Sequence, residues 1–478
     1  MSYKQKAINS TKWVTVSTVF QTALQFIQIA ILARLLSPAA FGLVGISATV
    51  IAFFSTFANL GFSNSIIYKQ ETDQKVLSTV YLTNIGIGII IFTLIYLSSP
   101  LIIAFYHEPR LDKVIKLTSL IFLIIYYGSV YGFMLQKELQ FKSIAIIDIL
   151  VNIIGTTVTI TLAYRGYNEM SLVYGGLVTH VCRTVLLVYF GFNLFKPSLY
   201  FKLNEIKEHL RFGVFNLGEG LISFVQGNWD NIVIGSMLGA ELLGYYTLAY
   251  QLAIFPVNKI NPIILQVAYP VLAKMKENLA ELKNSYIKIL DLLTFFNLPL
   301  LTGLFITAES VVPLIYGPGW EPTFPLIKIF VLVSIFSCLS HPLFTLVYTK
   351  GKPQLLFYLN LVTLACKIPL VYVLGDNYGV KGIAIAFLLA TLINMILNFF
   401  IVHSLIGSFL KQLLLSIYKP VLFCLLMVVT VYCYKSFVGY SGWFNAIAEI
   451  ALGGIIYVAL TLKYKFSFVE LKDLKNSI

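Results

Sequence analysis

Two similar breaks interrupt the long apolar segments of this sequence. The first is Arg34-Leu-Leu-Ser-Pro-Ala-Ala-Phe-Gly42, and the second is Ser236-Met-Leu-Gly-Ala-Glu-Leu-Leu-Gly244. Gly244 follows Gly42 by 202 residues, and each glycine ends a short break between two apolar segments. A break that recurs in this way predicts a chain built from two related halves.

The composition is that of a membrane protein. Of the 478 residues, 58% are hydrophobic and 12% are charged, and the mean hydropathy is +0.84. This is more apolar surface than a water-soluble core could bury. Because a helix needs about 20 apolar residues to cross a hydrocarbon layer about 30 Å thick, the apolar segments predict about fourteen transmembrane helices. We therefore predict an all-α, polytopic membrane protein.

The positions of Lys and Arg predict the orientation in the membrane. With the N-terminus inside, 22 of the 34 basic residues fall in cytoplasmic segments and 7 in outer segments, as the positive-inside rule requires. An even number of spans then places both termini in the cytoplasm. The first apolar segment has no clear cleavage site and is expected to remain as a span. The net charge of +13 follows mainly from this bias, so no nucleic-acid partner is predicted.

Polar residues follow one face of the first predicted span, Trp13–Ala33, and one face of the seventh, Phe212–Leu238. A shift of 202 residues pairs Gln21 with Ser223 and Gln28 with Asp230, and such stripes must face protein or water inside a bilayer. The residues of these stripes that we predict as substrate or ion contacts are Gln21, Gln25, Glu219, Ser223 and Asp230. The alternative is that such polar groups simply hold neighbouring helices together, which is common in membrane proteins.

The repeat also predicts how the chain is divided. Residues 1–194 form a first six-helix bundle, residues 195–211 a cytoplasmic linker, and residues 212–403 a second six-helix bundle. Residues 404–478 add two further transmembrane helices and a cytoplasmic tail. The two bundles are expected to be pseudo-symmetric and to surround a central cavity.

Charges near the middle of apolar segments are the strongest functional candidates. A charge at the centre of a bilayer costs about 2.5–3.5 kcal/mol on insertion scales, so it generally has a cavity, a partner or a proton. The cations predicted to line a substrate cavity are Lys259, Lys367 and Arg183. The carboxylates predicted to balance them or to bind a coupling ion are Glu219, Asp230 and Asp148, with His180, His341 and His403 as titratable neighbours. Whether these cations and carboxylates pair with one another stays open.

Several other classes of protein are unsupported by the sequence. It contains no Gly-x-x-x-x-Gly-Lys-[Ser/Thr] phosphate loop and no His-Glu-x-x-His motif. The five cysteines lie within apolar segments and lack the spacing of a metal site. We therefore predict no catalytic residue, no metal and no cofactor. A twofold duplication also favours a secondary transporter over a channel.

The motifs around both breaks resemble those of the Wzx-type polysaccharide flippases. In the first half they are Ile31-Leu-Ala-Arg-Leu-Leu-Ser-Pro-Ala-Ala-Phe-Gly-Leu43 and Asn59-Leu-Gly-Phe62. In the second half they are Trp229-Asp-Asn-Ile-Val-Ile-Gly-Ser-Met-Leu-Gly-Ala-Glu-Leu-Leu-Gly-Tyr-Tyr246, Tyr269-Pro-Val-Leu-Ala273 and Ile315-Tyr-Gly-Pro-Gly-Trp320. The resemblance covers essentially the whole chain. It is strongest to the colanic-acid and teichuronic-acid exporters of the multidrug, oligosaccharidyl-lipid and polysaccharide (MOP) exporter superfamily.

The resemblance implies a flippase with the MOP fold. Such a protein moves an undecaprenyl-diphosphate-linked oligosaccharide across the bacterial inner membrane by alternating access, for synthesis of O-antigen, exopolysaccharide or capsule. Its partners would be this lipid-linked substrate, the lipid bilayer, and a polysaccharide polymerase with its chain-length regulator. The alternatives are a cation-coupled multidrug exporter of the same superfamily and a membrane-embedded polysaccharide polymerase. The short outer loops and the missing metal-binding pair argue against the polymerase.

Overall fold

The computed structural model describes residues 3–58, 62–438 and 442–464. These residues form helices joined by short connections, and no strand occurs among them. The helices are α1 Tyr3–Leu35, α2 Pro38–Ala58, α3 Phe62–Lys69, α4 Gln74–Tyr106, α5 Leu111–Lys137, α6 Phe141–Tyr164, α7 Glu169–Gly191, α8 Leu203–Val233, α9 Ala240–Lys274, α10 Leu279–Tyr316, α11 Thr323–Ser340, α12 Leu343–Thr349, α13 Gln354–Ile406, α14 Leu410–Val438 and α15 Trp443–Tyr464. A π-helical turn, Ile234–Leu238, continues α8.

The helices confirm the prediction of an all-α polytopic membrane protein. Eleven segments within the described ranges are long and apolar enough to cross a membrane. One of them, α13, has 53 residues and is kinked at Gly379, where the backbone is not helical (φ 59°, ψ −143°), so it contains two of the predicted spans. The seventh predicted span and the eighth, Gly244–Val267, correspond to α8 and α9, which are helical but are not among these eleven segments.

Residues 1–244 and residues 245–478 form two compact units. In the first unit α6 packs against α1 and α7, and α5 packs against α4 and α7. In the second unit α10 packs against α11, α14 and α15, and α11 packs against α13. The predicted boundaries of the two six-helix bundles, at residues 194, 211 and 403, stay a prediction.

The two sequence breaks contact each other within residues 1–244. A Cβ atom on Gly42 would lie 1.6 Å from the carbonyl oxygen of Ala240, and one on Gly244 would lie 1.9 Å from that of Pro38. Pro38 and Ala240 are related by the same shift that relates the two glycines. Only a residue without a side chain permits this approach of the backbones. The reciprocal contact supports the internal duplication.

Small residues bring α6 and α7 close together. A Cβ atom on Gly155 would lie 1.8 Å from Oγ1 of Thr179, and one on Gly175 would lie 1.8 Å from Oγ1 of Thr159. Small residues at such interfaces let membrane helices pack through van der Waals contact. Thr179 lies one turn before Arg183, so the same contact sets the distance of Arg183 from α6.

Candidate functional site

A polar cavity of about 560 Å³ lies within the unit formed by residues 1–244. Residues of α2, α3, α4, α5 and α7 form its walls. The polar residues among them are Ser55, Ser63, Asn84, Ser129, Gln136, His180, Arg183 and Thr184. Asn84 Nδ2 donates a hydrogen bond to Ser129 Oγ over 3.0 Å, which fixes two of these groups. The cavity thus presents hydroxyl, amide, imidazole and guanidinium groups inside a bundle of membrane-spanning helices.

Arg183 of α7 is the predicted site residue that lines this cavity, and Asp148 of α6 pairs with it. Nη1 of Arg183 lies 2.6 Å from Oδ1 of Asp148, and the two side chains are 41% and 17% exposed. A guanidinium carries five N–H donors in a planar fork, so one carboxylate does not occupy all of them. Arg183 can therefore keep its partner and still bind a second anion.

The predicted polar stripe of α1 faces α6. Asn152 Nδ2 donates to Gln21 Oε1 over 3.4 Å and to the carbonyl oxygen of Asp148 over 2.7 Å. Thr156 Oγ1 donates to Gln28 Oε1 over 3.0 Å. These bonds join two helices, which is the alternative interpretation of the stripe. The role of Gln21 as a substrate contact stays a prediction.

The remaining stripe residues lie in different surroundings. Gln25 is exposed on α1 and Ser223 is exposed on α8. Asp230, near the end of α8, is buried. The side chain of Glu219 lies outside the described residues. The described walls of the Arg183 cavity do not include Gln25, Ser223 or Asp230.

Lys367 lies in the interior of the second unit. Its side chain is 2% exposed, and its Nζ lies 4.2 Å from the centroid of the Phe387 ring. Phe387 in turn contacts Tyr250 and Phe330, with centroids 5.7 Å and 6.2 Å away. An ammonium group over an aromatic face is attracted by the negative charge of that face. Lys367 is therefore packed into an aromatic cluster.

Lys259 lies on α9 between Pro256 and Pro262 and is half-buried. Its Nζ lies 5.9 Å from the centroid of the Phe255 ring, one turn earlier on the same helix. Proline removes a backbone donor and leaves carbonyl groups without their helical partners. This part of α9 therefore offers both a cation and freed carbonyl oxygens.

The second unit contains a buried ion pair that was not predicted from the sequence. Lys435 Nζ of α14 lies 3.5 Å from Glu449 Oε2 of α15, and the side chains are 4% and 0% exposed. Ser310 of α10 donates to Glu449 Oε1 over 3.0 Å. Glu449 also borders an apolar cavity of about 500 Å³ between α10, α14 and α15. Because Glu449 is the single carboxylate in the sequence of α15, that isolation was a signal that could have identified it.

Comparison with known sequences places the chain beside proteins of polysaccharide synthesis. A family described as polysaccharide biosynthesis protein matches residues 31–325. The lipopolysaccharide biosynthesis protein WzxC of Escherichia coli K12 is 32% identical over 421 residues, which cover 88% of this chain and 86% of that protein. The teichuronic acid biosynthesis protein TuaB of Bacillus subtilis 168 is 27% identical over 421 residues, covering 88% and 87%.

Comparison with solved structures gives the fold. The lipid II flippase MurJ in an inward closed conformation superimposes with a TM-score of 0.75 at 17% identity, covering 94% of this chain and 98% of that one. An inward-facing multidrug resistance MATE transporter of the MOP superfamily gives 0.62 at 16% identity, covering 82% and 96%. At these identities the similarity establishes the MOP fold.

Proposed function

The chain belongs to the polysaccharide biosynthesis protein family and has the MOP exporter fold, and we propose from this premise that it is a flippase. Its substrate is an oligosaccharide linked to undecaprenyl diphosphate, which it carries from the cytoplasmic to the outer leaflet by alternating access. The names of its relatives, which assign them to lipopolysaccharide and teichuronic acid synthesis, support this substrate class.

The observation that carries the proposal is the polar cavity with Arg183 in its wall. A diphosphate cannot leave water for hydrocarbon without compensation, because burying an unpaired charge is very costly. A guanidinium binds phosphate oxygens through two parallel N–H···O bonds. Asn84 and Ser129 offer hydrogen bonds to sugar hydroxyls, and the ring of Tyr126 offers an apolar face. The cavity therefore matches a headgroup that combines diphosphate and sugar.

The position of Arg183 along α7 suits a substrate that arrives from the cytoplasm. α7 ends at Gly191, eight residues after Arg183, which is about 12 Å along the helix axis. In the predicted orientation this end of α7 faces the cytoplasm, as does the end of α5 near Gln136. We accordingly place the protein in the bacterial inner membrane with both termini inside.

The other predicted site residues take further roles in the proposal. Asp148 orients Arg183 through the ion pair, as a positioning residue. Further contacts with the diphosphate and the sugars come from Lys259, Gln21, Gln25 and Ser223. Glu219 and Asp230 are carboxylates that balance the positive charge of these contacts. The predicted contact Lys367 instead packs against Phe387 inside the second unit.

Genetic complementation tests the proposal directly. Cells without this protein should accumulate lipid-linked repeat units on the inner leaflet and lose their surface polysaccharide, and the wild-type chain should restore it. R183Q should fail to restore it, whereas R165Q should succeed because Arg165 lies exposed after the end of α6. Normal polysaccharide with R183Q at wild-type protein levels would contradict the site. Repeat units that reach the outer leaflet but stay unpolymerised would instead indicate a polymerase.

A further inference from the structure

A helix break within the second unit brings a histidine against buried amide groups. α11 ends at Ser340 and α12 begins at Leu343, so His341 and Pro342 lie between them. The two helices together form one apolar segment, Thr323–Thr349, that is long enough to span a membrane. Both residues keep right-handed helical dihedral angles, but Pro342 has no backbone N–H, so the helical hydrogen-bond pattern is interrupted here. Carbonyl groups beside the proline can then accept hydrogen bonds from partners on neighbouring helices.

Two asparagines supply these partners. Asn398 of α13 donates its Nδ2 to the carbonyl oxygen of Ser340 over 2.9 Å. Asn261 of α9 places its Nδ2 2.9 Å from Nδ1 of His341. Asn398 and Asn261 are 2% and 1% exposed, whereas His341 is exposed. The hydrogen bond between His341 and Asn261 is part-buried.

The acceptors of this network determine the protonation of His341. Asn297 Nδ2 donates to the carbonyl oxygen of Leu293 over 2.9 Å and to Oδ1 of Asn261 over 3.0 Å. A backbone carbonyl can only accept, which fixes the orientation of the Asn297 amide. Asn261 must then turn its own Nδ2 toward His341. Nδ1 of His341 must accept, and it does so only in a neutral ring with the proton on Nε2.

A second proton on His341 is incompatible with this arrangement. Both ring nitrogens of a charged histidine donate, so Nδ1–H would point at the Nδ2–H group of Asn261. If the side-chain amide of Asn261 rotated by half a turn, its Nδ2 would face Nδ2 of Asn297. Two donors would then oppose each other, because Asn297 already donates to Leu293. Whichever amide turns, protonation breaks a hydrogen bond that joins α9, α10 and the α11–α12 break.

We propose that His341 is the proton-binding site through which a transmembrane proton gradient drives this protein, an inference that rests on the proposed flippase function. In the neutral state the Asn261–His341 bond ties the α11–α12 break to α9. Binding of a proton releases that bond and allows the break to rearrange. Proton entry is thereby linked to movement of helices within the second unit.

Other charged and titratable groups lie on the helices around the break, and His341 is the one whose ring bonds Asn261. Apart from tyrosines they are Lys328 and Cys338 on α11, Lys350 after α12, Glu241, Lys259 and Lys274 on α9, Glu281, Lys283, Lys288, Asp291 and Glu309 on α10, and Cys366, Lys367, Asp376, Lys381 and His403 on α13. Cys338 Sγ lies 4.0 Å from Oδ1 of Asn261, within the same network. Asp291 precedes Asn297 by six residues, about 9 Å along the axis of α10. Among the described residues, the hydrogen-bond partner of the His341 ring is a neutral amide.

Transport in proteoliposomes tests the proposal. The probe is undecaprenyl diphosphate that carries a labelled oligosaccharide, and its distribution between leaflets is measured with and without a pH gradient. For the wild-type chain, one pH unit should change this distribution by up to about tenfold if one proton moves per cycle. H341Q keeps an acceptor for Asn261 but cannot bind the proton, so its distribution should not respond. H403Q on α13 should respond as the wild type does.

The outcomes separate this proposal from the proposed function. A wild-type chain that moves no labelled lipid contradicts the flippase function. A wild-type chain that moves the lipid, together with an H341Q variant that responds equally to the gradient, contradicts only the role of His341.

Nitrogen NMR of the histidine-labelled wild-type chain tests the protonation state without transport. The chain has five histidines. The signal of His341 is the one that disappears in H341Q. It can also be assigned by elimination, after the other four histidines have each been replaced. At pH 7 it should be that of a neutral ring with the proton on Nε2. A proton on Nδ1, or a charged ring at that pH, would overturn the proposal.

Discussion

Arg183 in the first unit and Lys367 in the second are both cations on apolar helices, and the protein surrounds them differently. Arg183 is 41% exposed, lines a polar cavity and pairs with Asp148 at 2.6 Å. Lys367 is 2% exposed and lies against the ring of Phe387. We propose that Arg183 serves a ligand and that Lys367 serves the packing of helices, with the accessibility of the side chain distinguishing the two roles.

This difference predicts which measurement each residue affects first. Substitution of Arg183 should affect export before it affects the amount of folded protein. Substitution of Lys367 should affect thermal stability first, since its side chain fills space inside the second unit. Four substitutions, at Arg183, Lys367, Asp148 and Phe387, test this contrast.

Reversal of the charge at Arg183 should have the largest effect. R183E places a carboxylate beside Asp148 and opposite the diphosphate. It removes charge-assisted hydrogen bonds worth about 1.5–3 kcal/mol each and adds repulsion, so export should fall by at least about thirtyfold. The exchange D148R/R183E should restore the protein level, because the ion pair is rebuilt, without restoring export. Export by the exchanged variant at the wild-type rate would show that the position of the cation is unimportant.

Truncation of Lys367 should reduce stability. K367A leaves a cavity, and the loss of a side chain of this size in a core costs about 2–5 kcal/mol of unfolding free energy. K367M restores most of the volume and should recover most of the loss, as measured by thermal unfolding in detergent. If K367M were fully stable but failed to export, the charge of Lys367 would serve the substrate and the contrast with Arg183 would disappear.

Removal of the Asp148 charge should have an intermediate effect. D148N keeps the shape of the side chain but weakens the charge-assisted bond that orients Arg183, which is worth about 1.5–3 kcal/mol. Export should fall by about tenfold or more, and higher substrate supply should not restore it fully. Unchanged export would mean that Arg183 is oriented by other contacts.

Replacement of Phe387 should have the smallest effect. F387L removes the aromatic face beneath the Lys367 ammonium, a contact worth about 0.5–2 kcal/mol. We expect a small fall in the melting temperature and normal surface polysaccharide. A severe loss of export at normal stability would indicate that the aromatic cluster contacts the substrate.

Much of the fold could be predicted because it depends on local sequence. Helices and spans follow from the length of apolar segments, and the repeat follows from two similar breaks. The reciprocal contacts of Gly42 and Gly244 show why glycine stands in both breaks: the backbones approach too closely for any side chain. A steric requirement of this kind can be predicted from the identity of a single residue.

The site was less predictable because it depends on which helices become neighbours. Gln21, which is predicted as a substrate contact, also accepts a hydrogen bond from Asn152, 131 residues away, and its own helix does not reveal this partner. Lys435 and Glu449 form a pair because α14 and α15 are neighbours, and Ser310 of α10 bonds the same carboxylate. Spacing along the chain does not determine such pairs, and the sequence therefore left the pairing of Asp148 and Arg183 open.

The central claim is that the Arg183 cavity receives the diphosphate headgroup, and photo-crosslinking tests it most directly. A photoreactive residue at Ser129, in the cavity wall, should crosslink to labelled lipid-linked oligosaccharide in the wild-type background and lose most of that crosslink in R183Q. The same residue at Val185, which is 60% exposed on α7, provides the matched control and should give little crosslink in either background. Equal crosslinking at both positions, or crosslinking at Ser129 that is unaffected by R183Q, would contradict the account.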